Sequence, residues 1–494
     1  MSILAIDQGT TSTRALHVAA NGTWTALLSL PHRQFYPAPG WVEHEPAELL
    51  ANLRACIDAG AAMHPQAIGI ANQGESCLGW DARTGTAISP VIVWQDNRTQ
   101  DVTEMLARDG TAQMVHDRAG LPLDPYFSAS KLGWIMQHIP AAAALAQQGY
   151  LRLGTTDAWF RDRLTGRHET DVTTASRTSL MHLATCQWDS NLCALFGVPI
   201  DALPRITATT GTLGLVACGT SGLATAGARG LATTGTTQIP LTTSVTDQQA
   251  ALYGHGCRLA GDAKITFGTG AFALSVTGAT LPQQAMGAGP LPTVAWQKAG
   301  EPVTYALDGG VYAASSAVNW ARGLGLFTDW AQINHFDGPP AISRGLVFVP
   351  ALAGLACPHW DRQARGAWLG LGLDTTAQNM MQALLEGVVF RTGEVIDSMA
   401  RVQPLHDPIS LDGGMVANPW FCQFLANRLG RQLIVSDEAE LTAIGTAALA
   451  AHGAGLTVDL PRKGRTITPR PQPAGWATRF TAARDAVQGF GQQG

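Results

Sequence analysis

An acid beside a short run of glycine and hydroxyl residues places a negative charge next to a set of donors. The chain carries such a run near its start, in ILAIDQGTTSTRAL from Ile3 to Leu16. A buried strand delivers Asp7 to the turn. Gly9 has access to backbone angles closed to other residues, so the amides of the turn can converge on an anion. Thr10, Thr11 and Ser12 add hydroxyl donors and Arg14 adds fixed positive charge. The competing reading is a β-hairpin with a polar turn that Asp7 caps. A second copy shifts the balance: KITFGTGAFALSV, from Lys264 to Val276, repeats strand, turn and strand with Gly268 and Thr269 near its tip. Two phosphate-sized turns, each near the start of one half of the chain, suit a clamp on a nucleotide. No glycine-rich turn followed by Lys-Ser or Lys-Thr occurs, so the P-loop solution is absent.

Further residues able to do chemistry lie at the ends of expected strands. Asp247, in TDQQAALYGHG, precedes a helix expected over Gln248 to Tyr253. Its carboxylate either caps that helix or serves as a general base toward a substrate hydroxyl. Asn72, Gln73 and Glu75 follow a buried strand in QAIGIANQGESCLGW, as a ligand site at a strand end or as a capping cluster. Trp94 ends the next strand, and Tyr126 sits in a Pro-containing loop, there to pack or to bind. The stretch Leu153 to Thr178 reads as a helix, a turn and a Thr/Ser-rich loop with structural work only. Asp308-Gly309-Gly310 and Asp412-Gly413-Gly414 read as two turns after strands, where glycine lets backbone approach a nucleotide.

The elements that must position these residues need more than one core. A chain of 494 residues divides naturally into two domains, here drawn as 1–246 and 247–494. The boundary is set at the end of the Thr-, Gly- and Ala-rich stretch Thr207 to Thr246. Glu45-Pro46 opens an amphipathic helix in which Leu49, Leu50, Leu53 and Ile57 recur at helical spacing. Apolar residues make up 46% of the chain, charged residues 14%, and the net charge is −5. That balance attracts neither nucleic acid nor an anionic membrane, which leaves small molecules as partners. Eight cysteines are spread singly, without the close pairs of a zinc site or a redox motif, as expected of buried reduced thiols. No apolar stretch is long enough to span a membrane, and a cytoplasmic location is expected. Whether the chain forms a homo-oligomer stays open.

Together the motifs resemble the FGGY carbohydrate kinases, and most of all the glycerol kinases among them, from end to end. The resemblance is carried by DQGTTSTRA (Asp7 to Ala15), GWVEHEP (Gly40 to Pro46), ANQGE (Ala71 to Glu75), VWQDNRT (Val93 to Thr99) and LPLDPYFSASKLGW (Leu121 to Trp134). It continues in TASRTSL (Thr174 to Leu180), DQQAALYG (Asp247 to Gly254), FGTGAF (Phe267 to Phe272), FVPALAGLACPHWD (Phe348 to Asp361) and DGGMVAN (Asp412 to Asn418). It implies an α/β, two-lobed fold of the actin and hexokinase type (ribonuclease H-like), with ATP and a polyol meeting in an interdomain cleft. It makes Asp247 the catalytic base and lets Asp7 position Mg2+ through water. Thr10, Thr11, Ser12, Arg14, Gly268 and Thr269 become phosphate contacts, and Gly414 and Asn418 hold the adenosine side. Ser315 and Asn319 stand where the family has Gly and Gln against the nucleotide. Glu75, Trp94, Tyr126, Asp247 and Gln248 align with the polyol contacts.

Two departures bear on the substrate. Gly74 stands where glycerol kinases have an Arg before the Glu, and Thr246 stands where glycine precedes the catalytic Asp. Losing a guanidinium removes charge-assisted donors and opens space. Either Arg98 or a water replaces it, or a longer polyol fills the gap. The reaction the resemblance implies is phosphorylation of a terminal hydroxyl of a small polyol, glycerol to glycerol 3-phosphate first. A kinase for another polyol or ketose comes second. A non-catalytic sensor and an actin-like filament ATPase on the same fold are the readings from other classes.

Overall fold

The computed structural model describes residues 2–219, 237–283, 287–460 and 464–491. They sort into two compact units: Met1–Gly256 with Thr293–Tyr305 and Glu440–Pro461, and Cys257–Pro292 with Ala306–Ala439 and Arg462–Gly494. Part of the Thr207 to Thr246 stretch, residues 220–236, lies outside the described residues.

The first unit is built on a six-stranded mixed sheet. Its strands are β1 (Ser2–Gln8), β2 (Ser12–Ala19), β3 (Trp24–Pro31), β4 (Ala67–Asn72), β5 (Thr210–Cys218) and β6 (Thr237–Thr246). Their spatial order is β5-β6-β4-β1-β2-β3. The run at Ile3 to Ile6 is wholly apolar because β1 is covered on both faces. On one face lies α1 (Pro46–Ala61), opened by Pro46 and capped by Glu45, whose side chain accepts from Ala47 N. It buries Leu49, Leu53, Cys56 and Ile57, each side chain worth about 1.5–3 kcal/mol when fully removed from water if it is Leu or Ile. On the other face Ile3, Ala5, Leu16 and Val18 meet Ala443, Ala447, Ala450 and Ala451 of the helix Leu441–Gly453. That helix has no polar stripe, and ten of its residues, Leu441, Ala443 and Ile444 to Ala451, are buried. Strands β1, β4 and β6 run parallel, with Gln8 opposite Asn72 and Asn72 opposite Thr246. Their C-terminal ends therefore share one edge.

The second unit repeats the plan. Six of the seven strands of its sheet, β7 (Ala263–Phe267), β8 (Ala271–Gly278), β9 (Val303–Val311), β10 (Ile409–Gly413), β11 (Leu433–Ser436) and β12 (Gly464–Ile467), have the neighbour order β9-β8-β7-β10-β11-β12. Helix α2 (Ser315–Gly323) buries Ala317, Val318 and Ala321 as expected of its small residues. The turn expected at Asp308-Gly309-Gly310 is absent: β9 continues through it to Val311. A Cβ at Gly309 would stand 2.8 Å from a Val395 methyl and 2.9 Å from Cys357 Sγ, so glycine there makes room for packing. All eight cysteines are buried and free. Among the described residues no helix is long and apolar enough to cross a membrane.

Candidate active site

In the first unit the expected residues gather at the shared C-terminal edge of β1, β4 and β6. Asp7 is the penultimate residue of β1, opposite Arg14 of β2, and Arg14 pairs with Glu440 at 3.0 Å. Burial, and next the charge of Glu440, push the Asp7 carboxyl up to about 6, with Arg14 pulling the other way. The turn that follows is a tight one. Gly9 N donates to Ser12 O at 3.0 Å, so that amide closes the hairpin instead of facing an anion. Gly9 is also outside the left-handed region, and a Cβ on it would meet only Ser12 O, at 3.6 Å. The backbone freedom expected of it is not used in this conformation. Thr11 is exposed, while Thr10 and Ser12 are half-buried. His32 braces the turn from behind, with Nε2 2.8 Å from Thr10 O and N donating to Thr11 O at 3.1 Å.

Trp94 ties this turn to the next cluster, its Nε1 donating to Thr10 Oγ1 at 3.0 Å. The Trp94 ring meets Tyr126 edge-on at 5.5 Å between centroids. Glu75 sits in the left-handed region at φ 59°, uncommon for a residue with a side chain and a known mark of functional turns. Its backbone O accepts from Ser128 Oγ at 2.8 Å, and its carboxylate accepts from Arg177 Nε at 2.7 Å. Both side chains are nearly sealed, at 5% and 6% exposure. Arg177 also stands 5.8 Å from the Tyr126 ring centre. Asp247 opens the helix α3 (Asp247–Gly254), is half-exposed, and accepts from Gln248 N at 2.6 Å through Oδ1. Glu75, Trp94 and Tyr126 are thus one cluster. Asp7, Asp247 and Gln248 stand along the same sheet edge.

Arg177 is the residue the sequence reading missed. It lies in the loop credited with structural work only, 102 positions from Glu75. Arg98 is one replacement expected for the missing guanidinium. It spends its Nε and Nη2 elsewhere, bridging Asp96 at 2.8 Å and Glu43 at 2.7 Å. Its guanidinium also lies over Trp41 at 3.9 Å. The guanidinium that reaches Glu75 comes from position 177.

The second unit carries its own turn. Gly268 and Thr269, both exposed, link β7 to β8. The start of α2 docks on their carbonyls: Ser315 N donates to Gly268 O at 3.3 Å and Ala314 N to Thr269 O at 3.0 Å. Asn319 is exposed one helical turn after half-buried Ser315. Strand β10 pairs with β7, placing Gly413 opposite Phe267. Gly413 has φ 95°, and a Cβ would fall 2.3 Å from Phe267 O, so only glycine fits. Gly414 beside it is exposed with open space around its Cα. Asn418 spends its amide on the protein itself. It is buried, its Oδ1 accepts from Phe421 N at 3.0 Å, and its Nδ2 donates to Ile333 O at 2.8 Å. It shapes the loop that presents Gly414. A cavity of about 520 Å³ in this unit, under the tail at Pro469 to Ala477, contains none of the expected site residues.

The sequence matches the N-terminal domain of the FGGY family of carbohydrate kinases over residues 2–254, and the C-terminal domain over 263–454. A glycerol kinase of Geobacter sp. (strain M21) is 40% identical over 464 residues, covering 92% of this chain and 90% of that one. A glycerol kinase of Thermus brockianus is 39% identical, covering 100% and 99%. Among solved structures, Plasmodium falciparum glycerol kinase with ADP superposes with a TM-score of 0.88 at 28% identity, covering 98% of both chains. A gluconate kinase from Lactobacillus acidophilus shares the fold at a TM-score of 0.84 and 20% identity, covering 99% of this chain and 98% of that one.

Proposed function

The chain belongs to the FGGY family of carbohydrate kinases, and we propose that, as an ATP-dependent kinase of that family, it phosphorylates a terminal hydroxyl of glycerol to give glycerol 3-phosphate. The observation that carries this reading is the convergence of Asp7, the Glu75 cluster and Asp247 on the C-terminal edge of three parallel strands. Open α/β sheets hold their ligands at such edges. Glycerol kinases at 40% identity supply the acceptor.

In this reading Glu75 and Gln248 hydrogen-bond the hydroxyls of the polyol while Trp94 and Tyr126 pack on its carbons. Asp247 takes the proton of the reacting hydroxyl as that oxygen bonds to the γ-phosphorus of ATP and the bond from that phosphorus to the β,γ-bridging oxygen breaks, ADP leaving with the electron pair. Hydroxyls and amides of Thr10 to Ser12, with Arg14, and of Gly268 and Thr269 hold the phosphates. Ser315, Asn319, Gly414 and Asn418 border the nucleoside. The donor set also fits Mg2+. Asp7 and Glu440 bring two carboxylates against the single positive charge of Arg14. Among the described residues no three acidic, His or Cys groups cluster as a direct metal cage. That suits an ion which keeps most of its waters and uses one or two carboxylates plus substrate phosphate. Bound there, Mg2+ would neutralise phosphate charge.

The raised pKa of Asp7 gives a pH prediction. A carboxyl whose folded value lies above its unfolded one is protonated more readily when folded, so stability falls as pH rises from the unfolded value of 3.8 to about 6, and the full penalty stands above that. Asp7→Asn is therefore expected to melt higher than the parent at pH 8 without ligand. The difference should vanish at pH 4, while Mg2+-dependent turnover falls more than about tenfold. Thermal melts at the two pH values, beside a Mg2+ titration of activity, read both. A variant that melts lower at pH 8 and retains turnover would refute the assignment.

The reading as a whole is tested by coupled ADP release with glycerol, longer polyols, ketoses and no acceptor. Glycerol should give the highest kcat/KM, with glycerol 3-phosphate as product. A ketose outpacing glycerol, or no acceptor raising the rate, would overturn it.

A further inference from the structure

The two positions where the chain departs from the family pattern beside the polyol contacts touch each other. A Cβ built on Gly74 would lie 2.9 Å from Thr246 Cγ2, closer than carbon atoms pack. Gly74 lies outside the left-handed region, so no backbone conformation demands glycine there. The methyl does.

That methyl is held in place by a chain of hydrogen bonds whose directions follow from the groups involved. Asp171 accepts from Thr173 N, Thr174 N and Thr209 Oγ1, and Thr173 Oγ1 donates its one proton to Asp171 Oδ1 at 2.8 Å. Thr173 Oγ1 can then only accept, and it does so from Thr246 N at 3.0 Å. Thr246 Oγ1, also 3.0 Å away, must be the donor in that pair. With its hydroxyl directed at Thr173, buried Thr246 has its methyl left against Gly74. Asn72 Nδ2 donates to Val245 O at 3.0 Å, tying the ends of β4 and β6 just before the pair. Gly74 and Thr246 immediately precede Glu75 and Asp247, the two carboxylates assigned to the acceptor.

We propose that Gly74 and Thr246 form one specificity-determining pair. The Thr246 methyl closes the space that the absent side chain at 74 leaves, and fixes Glu75 and Asp247 at a span that takes a three-carbon polyol and disfavours longer ones. This rests on the reading of the site as a polyol site. It replaces the expectation that Gly74 opens the pocket to a larger substrate.

The test is a double-mutant cycle that changes single carbon atoms. Gly74→Ala adds only the clashing Cβ. Thr246→Ser removes only the methyl and keeps the hydroxyl. Both singles, the double variant and the parent are assayed for kcat/KM on glycerol, erythritol and xylitol, and melted. Gly74→Ala alone should lose about tenfold on glycerol and melt lower, as overpacking does. Gly74→Ala/Thr246→Ser should recover most of both. Thr246→Ser alone should raise the erythritol-to-glycerol ratio by about threefold or more. The swap Gly74→Arg/Thr246→Gly should outperform Gly74→Arg alone on glycerol. If the parent uses glycerol but the single effects simply multiply, or the ratio is unmoved, the pair is not coupled and the proposal falls alone. If the parent phosphorylates no polyol, the functional reading falls and takes the pair with it.

Discussion

Asp247→Asn is expected to lower kcat by about 10²- to 10⁴-fold, the range that a positioned proton acceptor supplies. The variant should leave folding and nucleotide affinity close to the parent. The Asp247 Oδ1 that accepts from Gln248 N at 2.6 Å can be replaced by the amide oxygen of Asn, so the first turn of α3 keeps its contact. Thr246, which positions the residue, keeps its own bonds to Thr173. A competing purely structural role makes the opposite forecast. If Asp247 only closes the helix start, Asn serves as well and turnover stays. Steady-state kinetics with glycerol, beside a melting curve and a nucleotide titration, separate the two. Near-parental kcat in a folded variant would remove Asp247 from the chemistry.

Arg177→Ala carries the second large effect. The Glu75 carboxylate and the Arg177 guanidinium are both nearly sealed from water and meet at 2.7 Å. Removing one partner of a buried pair typically costs about 3–5 kcal/mol, because the other charge stays behind without it. Glu75 is also held at φ 59°, so its turn depends on surrounding contacts to stay in place. The expected outcome is a loss of stability of that size in denaturant, with KM for the polyol raised more than kcat is lowered. Arg177→Lys keeps the charge without the planar fork and should fall between the two. The Glu75→Gln/Arg177→Met double variant should regain stability over Arg177→Ala without regaining KM. Unchanged KM in Arg177→Ala would leave the pair as a structural tie only.

What could be read from the sequence followed from local patterns. Asp7, its hydroxyl-rich turn and the strand before it are contiguous, and the alternation of apolar run and turn identifies them without tertiary information. Helix α1 announced itself through Glu45, Pro46 and its leucine spacing. The same local logic misread Asp308-Gly309-Gly310, because paired glycines after a strand look alike whether they bend the chain or let Val395 and Cys357 approach it. Arg177 was hidden for a different reason: its partner is Glu75, and no local pattern links residues 102 positions apart. The contact between Gly74 and Thr246 is of the same kind. Each departure was visible separately, and only the pairing of β4 with β6 brings them together.

The helix Leu441–Gly453 has a consequence for the order in which the protein is made. It covers Ile3, Ala5, Leu16 and Val18, and it approaches α3 so closely that a Cβ at Gly445 would lie 1.9 Å from Ala250 O. Those first strands leave the ribosome early, yet their cover is encoded some four hundred residues later. A nascent chain stopped after Gly256 would carry Asp7, Glu75 and Asp247 on a sheet with one apolar face bare, a state prone to aggregation or capture by chaperones. Glu440, which sets the charge around Asp7, arrives with the same late segment. A chain stopped after Gly256 is expected to aggregate when expressed alone, and one that carries Leu441–Gly453 as well to stay in solution.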